Sequence, residues 1–118
     1  MTHLVFVYGS LLRGQANHAC LDGTRFVGEA RTPPGYRLYD LGFYPAAVPS
    51  DSGTIKGEVY AVDERGLAVL DRLEGYPAYY DRRLIETEQG TAWMYFLAEA
   101  EPHWPLVPGG EWAAYQAA

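Results

Sequence analysis

Leu4, Val5, Phe6 and Val7 form an unbroken apolar run that passes into Tyr8 and stops at Gly9. A run of this length closed by a turn residue predicts a strand buried on both faces. The polar, Gly-flanked stretch from Leu12 to Gly23 reads as a connection, with a short helical turn over Asn17 to Leu21. Thr24 to Arg31 and Tyr36 to Leu41 read as strands separated by the turn Pro33-Pro34-Gly35. Gly42 to Pro49 holds an extended stretch with Pro at both ends, which predicts an edge or irregular segment. A loop over Pro49 to Gly53 follows. From Thr54 to Val62 the pattern alternates: Ile55, Val59 and Ala61 point one way, Lys56, Glu58 and Tyr60 the other.

The period then changes. Asp63 is an N-cap residue and Glu64 suits the positive end of a helix dipole, so a helix is expected from Glu64 to about Leu73. Its apolar stripe is Leu67, Leu70 and Leu73; Gly75 and Pro77 end it. Tyr80 to Glu88 and Thr91 to Ala98 read as a hairpin turned at Gln89-Gly90. The first arm is polar enough for a sheet edge. The second is apolar on both faces and should be central. The tail from Glu99 to Gly110 is Pro-rich and reads as irregular, with a short helix over Glu111 to Gln116. One main helix between runs of hairpin-linked strands predicts an α+β fold, and two strands apolar on both faces predict a closed or nearly closed sheet.

With 118 residues and 48% hydrophobic residues, one compact domain spanning 1–118 is expected. The net charge of −6, without a run of like charges, disfavours nucleic acid or an anionic membrane as partner. Cys20 is the only cysteine, which fits a reducing compartment. The apolar run at the N-terminus is too short for a secretory or membrane segment. A cytoplasmic protein is therefore expected. His3, His18 and His103 are scattered, without metal-ligand spacing.

Candidate chemistry sits at two places. The first is the end of the opening strand. Glycine lets backbone turn sharply there, and successive N–H groups in such a turn form a small anion-binding nest. By spacing alone, a plain turn is the favoured reading of Gly9-Ser10. The second is Glu74. On a helical wheel it lies one heptad after Leu67 and four residues after Leu70, inside the apolar stripe, with Asp71 and Arg72 at its edge. An acid aimed at a core needs a partner or a task. The pattern leaves a catalytic role and a structural one, such as pairing with Arg82 or Arg83, equally open.

The stretch Val5-Phe6-Val7-Tyr8-Gly9-Ser10-Leu11-Leu12-Arg13-Gly14-Gln15 resembles the N-terminal signature of the gamma-glutamylcyclotransferase-like (AIG2-like) family, which includes gamma-glutamylamine cyclotransferases. Gly57-Glu58-Val59-Tyr60-Ala61-Val62-Asp63 matches a second family signature. Leu70-Asp71-Arg72-Leu73-Glu74-Gly75, followed by Tyr80-Asp81-Arg82, resembles the segment that carries the family's catalytic Glu. The resemblance covers Val5 to about Leu97. It implies a small mixed, mainly antiparallel, barrel-like sheet with few helices. It also implies a cofactor-independent reaction on a small gamma-glutamyl compound, closing 5-oxoproline and releasing an amine or amino acid. By the same resemblance Glu74 is the general base and acid, and Tyr8, Gly9, Ser10 and Leu11 line the gamma-glutamyl pocket. Tyr80 and Tyr95 are further pocket candidates, and Arg82 is a candidate for orienting Glu74 or for a surface pair. Glu58, a second carboxylate, reads as structural. Two other functions fit the same residues: a binding module for a small acidic metabolite, and an acyl-transfer enzyme using Ser10. Neither the departing amine nor the oligomeric state is specified by the sequence.

Overall fold

The computed structural model describes residues 1–117. Seven strands form: β1 (His3–Val7), β2 (Arg25–Arg31), β3 (Tyr36–Asp40), β4 (Pro45–Pro49), β5 (Lys56–Val62), β6 (Asp81–Thr87) and β7 (Gly90–Phe96). Helix α1 spans Glu64–Glu74 and α2 spans Trp112–Ala117, with 3-10 turns at His18–Leu21 and Pro108–Gly110. Five strands make one sheet in the order β2-β5-β1-β7-β6, and β3-β4 is a separate hairpin. Every pairing is antiparallel except β1 with β7, where Val5 lies opposite Trp93. The fold is thus mixed α+β with a mainly antiparallel sheet and few helices, as the sequence predicts.

The apolar runs occupy the middle of the sheet. Val5, Phe6 and Val7 on β1, and Ala92, Met94, Tyr95 and Phe96 on β7, are buried. Polar β6 takes the edge. The hairpin β3-β4 closes over the sheet, tied to β7 by the Leu97 N–H donating to Ala47 O at 2.9 Å. Strand β4 is an edge strand, as its prolines require, yet Pro45 through Val48 are all buried. The tail is more ordered than its composition suggests. Asp40 N–H donates to Pro105 O at 2.9 Å and Val107 N–H to Leu38 O at 2.8 Å, so the tail runs alongside β3. This places Val107 and Trp112 in the core, each only 2% exposed.

Helix α1 begins where expected: the Asp63 carboxylate accepts from Gly66 N–H at 2.8 Å. Leu67 and Leu70 are buried, but Leu73 is 41% exposed. The expected stripe is corrected at its last position, where Leu73 stands at the mouth of a pocket instead of in the core. No helix among the described residues is long and apolar enough to cross a membrane.

Candidate active site

The C-terminal ends of two elements, β1 and α1, meet at the pocket. Strand β1 delivers Tyr8 and a turn closed by Leu12 N–H donating to Gly9 O at 3.0 Å. A side chain at Gly9 has no room: its Cβ would lie 2.6 Å from Pro45 Cγ and Cδ. The close approach of this turn to the start of β4 therefore depends on glycine. Among the described residues, the N–H groups of Gly9, Ser10 and Leu11 donate to no protein acceptor. They remain available to a ligand, the arrangement that makes an anion nest.

The other end is the C-terminus of α1. Gly75 adopts φ 66°, its N–H donates to Arg72 O at 3.2 Å, and Tyr76 N–H donates to Asp71 O at 2.9 Å. This left-handed stop ends the helix directly after Glu74. The chain then turns back, with Tyr80 N–H donating to Glu74 O at 3.3 Å. Glu74 and Tyr80 thus reach the same cavity as the β1 turn.

That cavity is about 370 Å³ and is lined by Tyr8, Gly9, Ser10 and Leu11 from one side and by Glu74, Tyr80 and Tyr95 from the others. The volume is within the range of small-molecule sites. Three buried phenols have their hydrogens committed elsewhere. Tyr8 donates to Tyr95 O at 2.8 Å and accepts from Ala47 N–H at 3.1 Å. Tyr80 donates to Pro45 O at 2.9 Å and Tyr95 to Asp71 Oδ1 at 2.6 Å. All three pKa values are raised, chiefly by burial, with the Glu74 charge adding to each. They stay neutral at any ordinary pH.

Glu74 differs from these phenols. Among the described residues, no hydrogen-bond donor or cation pairs with its carboxyl. Burial alone pushes its pKa from the ordinary 4.5 up to about 7. A carboxyl with unspent hydrogen-bonding capacity and a pKa near neutrality can both take and return a proton.

One expectation is corrected. Arg82 does not line the cavity and does not pair with Glu74. Its Nε lies 3.2 Å from Asp71 Oδ1, and its guanidinium sits between the rings of Tyr76 and Trp93, at 4.5 and 4.2 Å. It acts on the site only through Asp71, which accepts from Tyr95. Glu58 also lies outside the cavity and accepts from Arg13 N–H and Tyr60 OH. Ser10 Oγ accepts from Asn17 Nδ2 at 3.1 Å, and among the described residues no histidine hydrogen-bonds to it. His18, beside this turn, donates Nδ1–H to Leu11 O at 2.9 Å. Sequence reasoning missed Phe43, Tyr44 and Tyr79, which also line the cavity. They lie in connections between elements, where no periodicity marks them.

The family described as gamma-glutamyl cyclotransferase, AIG2-like, matches residues 5–114. A Vibrio cholerae protein, provisionally named a gamma-glutamylcyclotransferase, is 47% identical over 112 residues, covering 95% of this chain and 96% of that protein. Among solved structures, an uncharacterised Pyrococcus horikoshii protein superposes with a TM-score of 0.84 at 28% identity, covering 98% of this chain and 93% of its own. A mouse AIG2-like protein superposes with a TM-score of 0.77 at 30% identity, covering 87% of this chain and 82% of its own.

Proposed function

Since this chain belongs to the gamma-glutamyl cyclotransferase, AIG2-like family, we propose that it closes a gamma-glutamyl compound to 5-oxoproline and releases an amine, with Glu74 as general base and then general acid. The observation that carries the reading is the unpartnered Glu74 carboxyl in a pocket of neutral phenols, its pKa pushed up to about 7.

In this reaction the substrate supplies its own nucleophile. The α-ammonium gives a proton to the Glu74 carboxylate, and the freed amine attacks the γ-carbonyl carbon. A ring C–N bond forms, and the carbonyl oxygen gains negative charge. The ring nitrogen then gives up its second surplus proton to the medium, and as the oxyanion collapses the original C–N bond breaks and Glu74 returns its proton to the departing amine, leaving the neutral lactam. Water is not consumed. The unspent N–H groups of Gly9, Ser10 and Leu11 suit either the α-carboxylate or the oxyanion. The rest of the task is holding a folded substrate conformer, and such positioning can lower a barrier by several kcal/mol, roughly 7 or more in favourable cases. The Arg82–Asp71–Tyr95 chain holds the Tyr95 ring against the pocket without touching the reacting atoms.

The direct test is to incubate the protein with gamma-glutamyl amides and amino acids and score 5-oxoproline. Release from at least one is expected. Absence from the whole panel, with the compounds shown to bind, contradicts the proposal.

The pH dependence follows from the same group. Glu74 must be ionised to accept the first proton, so the rate should rise through about pH 7 and level off above it. A rate that is flat between about pH 5 and pH 8 would exclude Glu74 as the base.

A further inference from the structure

The cyclisation chemistry uses the floor of the pocket and leaves its mouth without a role. Phe43, Tyr44, Leu73 and Tyr79 stand there, 95%, 37%, 41% and 51% exposed. Large apolar side chains gathered in the open mark a binding surface more often than chance exposure does. They come from two separate segments: Phe43 and Tyr44 from the β3–β4 connection, Leu73 and Tyr79 from the end of α1 and the loop beyond it. The two segments meet where the Tyr44 and Tyr79 hydroxyls lie 3.2 Å apart. The Tyr79 ring also packs edge-on against Tyr80 at 5.0 Å, which joins the mouth to the floor.

Depth sets the direction in which a substrate lies. Tyr8, Leu11, Tyr80 and Tyr95 are each less than 10% exposed, so the floor, with the free N–H groups, takes the gamma-glutamyl head. The group on the far side of the scissile bond then lies among the exposed rings. Among the described residues, no Lys, Arg or His lines this cavity, and Glu74 is its only charged side chain. A departing amino acid would bring its own carboxylate to a place with no cation and an acid close by. A flat apolar amine would instead meet ring faces and edges.

We propose that this aromatic mouth is the subsite for the departing amine, and that the amine is an aromatic one carrying no carboxylate. The proposal rests on the cyclisation reading above for the identity of the head group. It concerns a different set of residues, and the binding arm of its test does not depend on turnover.

The test compares gamma-glutamyl-phenethylamide with gamma-glutamyl-phenylalanine, which share the ring and differ by one carboxylate. Calorimetric binding to Glu74→Gln protein and kcat/KM of the unaltered protein are both measured. The amide should bind about tenfold more tightly and show a similar advantage in kcat/KM, as expected when a carboxylate is desolvated without a partner. Tyr79→Ala and Phe43→Ala should each weaken binding of both compounds, since the ring they share loses a contact, and Tyr79→Phe, which keeps the ring, should leave binding unchanged; undiminished binding in both alanine variants overturns the proposal. Equal binding of the two compounds, tighter binding of the phenylalanine compound, or no binding of either overturns the proposal. If the amide binds preferentially but no compound yields 5-oxoproline, the subsite stands and the cyclisation reading falls.

Discussion

Glu74→Gln should abolish turnover while leaving the protein folded and more stable at alkaline pH. Gln keeps the shape of the side chain but cannot accept a proton. General acid–base assistance is worth about 10²–10⁴-fold, and a group that serves both proton transfers should sit near the upper end. Ser10→Ala should cost less, because Ser10 Oγ is an acceptor for Asn17 and has no histidine to activate it. The reverse ranking would favour a serine nucleophile.

The stability effect has a definite sign. Burial raises the native pKa of Glu74 to about 7 from 4.5, so the native state holds a proton that the unfolded chain has lost between those values. The protonated form is therefore the one that favours folding. That contribution is complete below about pH 4.5 and is lost as pH rises through about 7. Removing the charge should raise stability at pH 8 by on the order of 1–3 kcal/mol, with little effect at pH 4. Chemical denaturation at the two pH values, alongside the activity assay, checks both halves. A Glu74→Gln protein that keeps activity within a few-fold, or loses stability at pH 8, contradicts the assignment of Glu74 as a dehydrated base.

Gly57→Ala should produce the largest loss of stability among single-methyl additions in the sheet. Gly57 is paired with Ala30 on β2 and lies beside the end of β1. A Cβ there would run into Val7 O and come within 2.8 and 3.0 Å of the Phe6 ring. Neither neighbour can yield cheaply: Val7 O is main chain in a central strand, and Phe6 is 1% exposed. Overpacking of this kind costs about 3 kcal/mol or more, which would lower Tm by roughly 10 °C for a chain of this size. Val7 also leads directly into the Gly9–Leu11 turn, so the residual folded protein should bind gamma-glutamyl compounds less well. An unchanged urea midpoint would mean that β1 and β5 do not approach as described.

The parts of this molecule that were legible in the sequence are those with strong local patterns. Leu4–Val7 and the apolar arm from Ala92 to Phe96 became the central strands because each is apolar on both faces. Glu74 could be picked out because it falls within the stripe of Leu67 and Leu70, and the Asp63 cap and Gly75 stop fix where that stripe ends. Leu73 departs from the stripe because the last helical turn faces the pocket mouth, where the wheel gives no warning that the core has ended. Of the partners open to Arg82 in the sequence, the fold selects Asp71 and not Glu74, a choice set by the tertiary placement of β6 that no local spacing encodes. Val107 and Trp112 are core residues in a Pro-rich tail, and only the pairing of that tail with β3 explains their burial. Tyr44 and Tyr79 are 35 residues apart in sequence and meet at their hydroxyls, a contact set wholly by tertiary geometry.

The central claim is that the nucleophile is the substrate's own α-amine and not water. Both reactions release the same amine, so the acid product decides between them. Turnover of an unblocked gamma-glutamyl amide in heavy-oxygen water should give 5-oxoproline without the label. The N-acetylated substrate, in which the amine has lost its nucleophilic lone pair, should compete for binding yet remain intact. Labelled glutamate as the primary product, or cleavage of the acetylated compound to N-acetylglutamate, would contradict the account whatever the effect of changing Glu74.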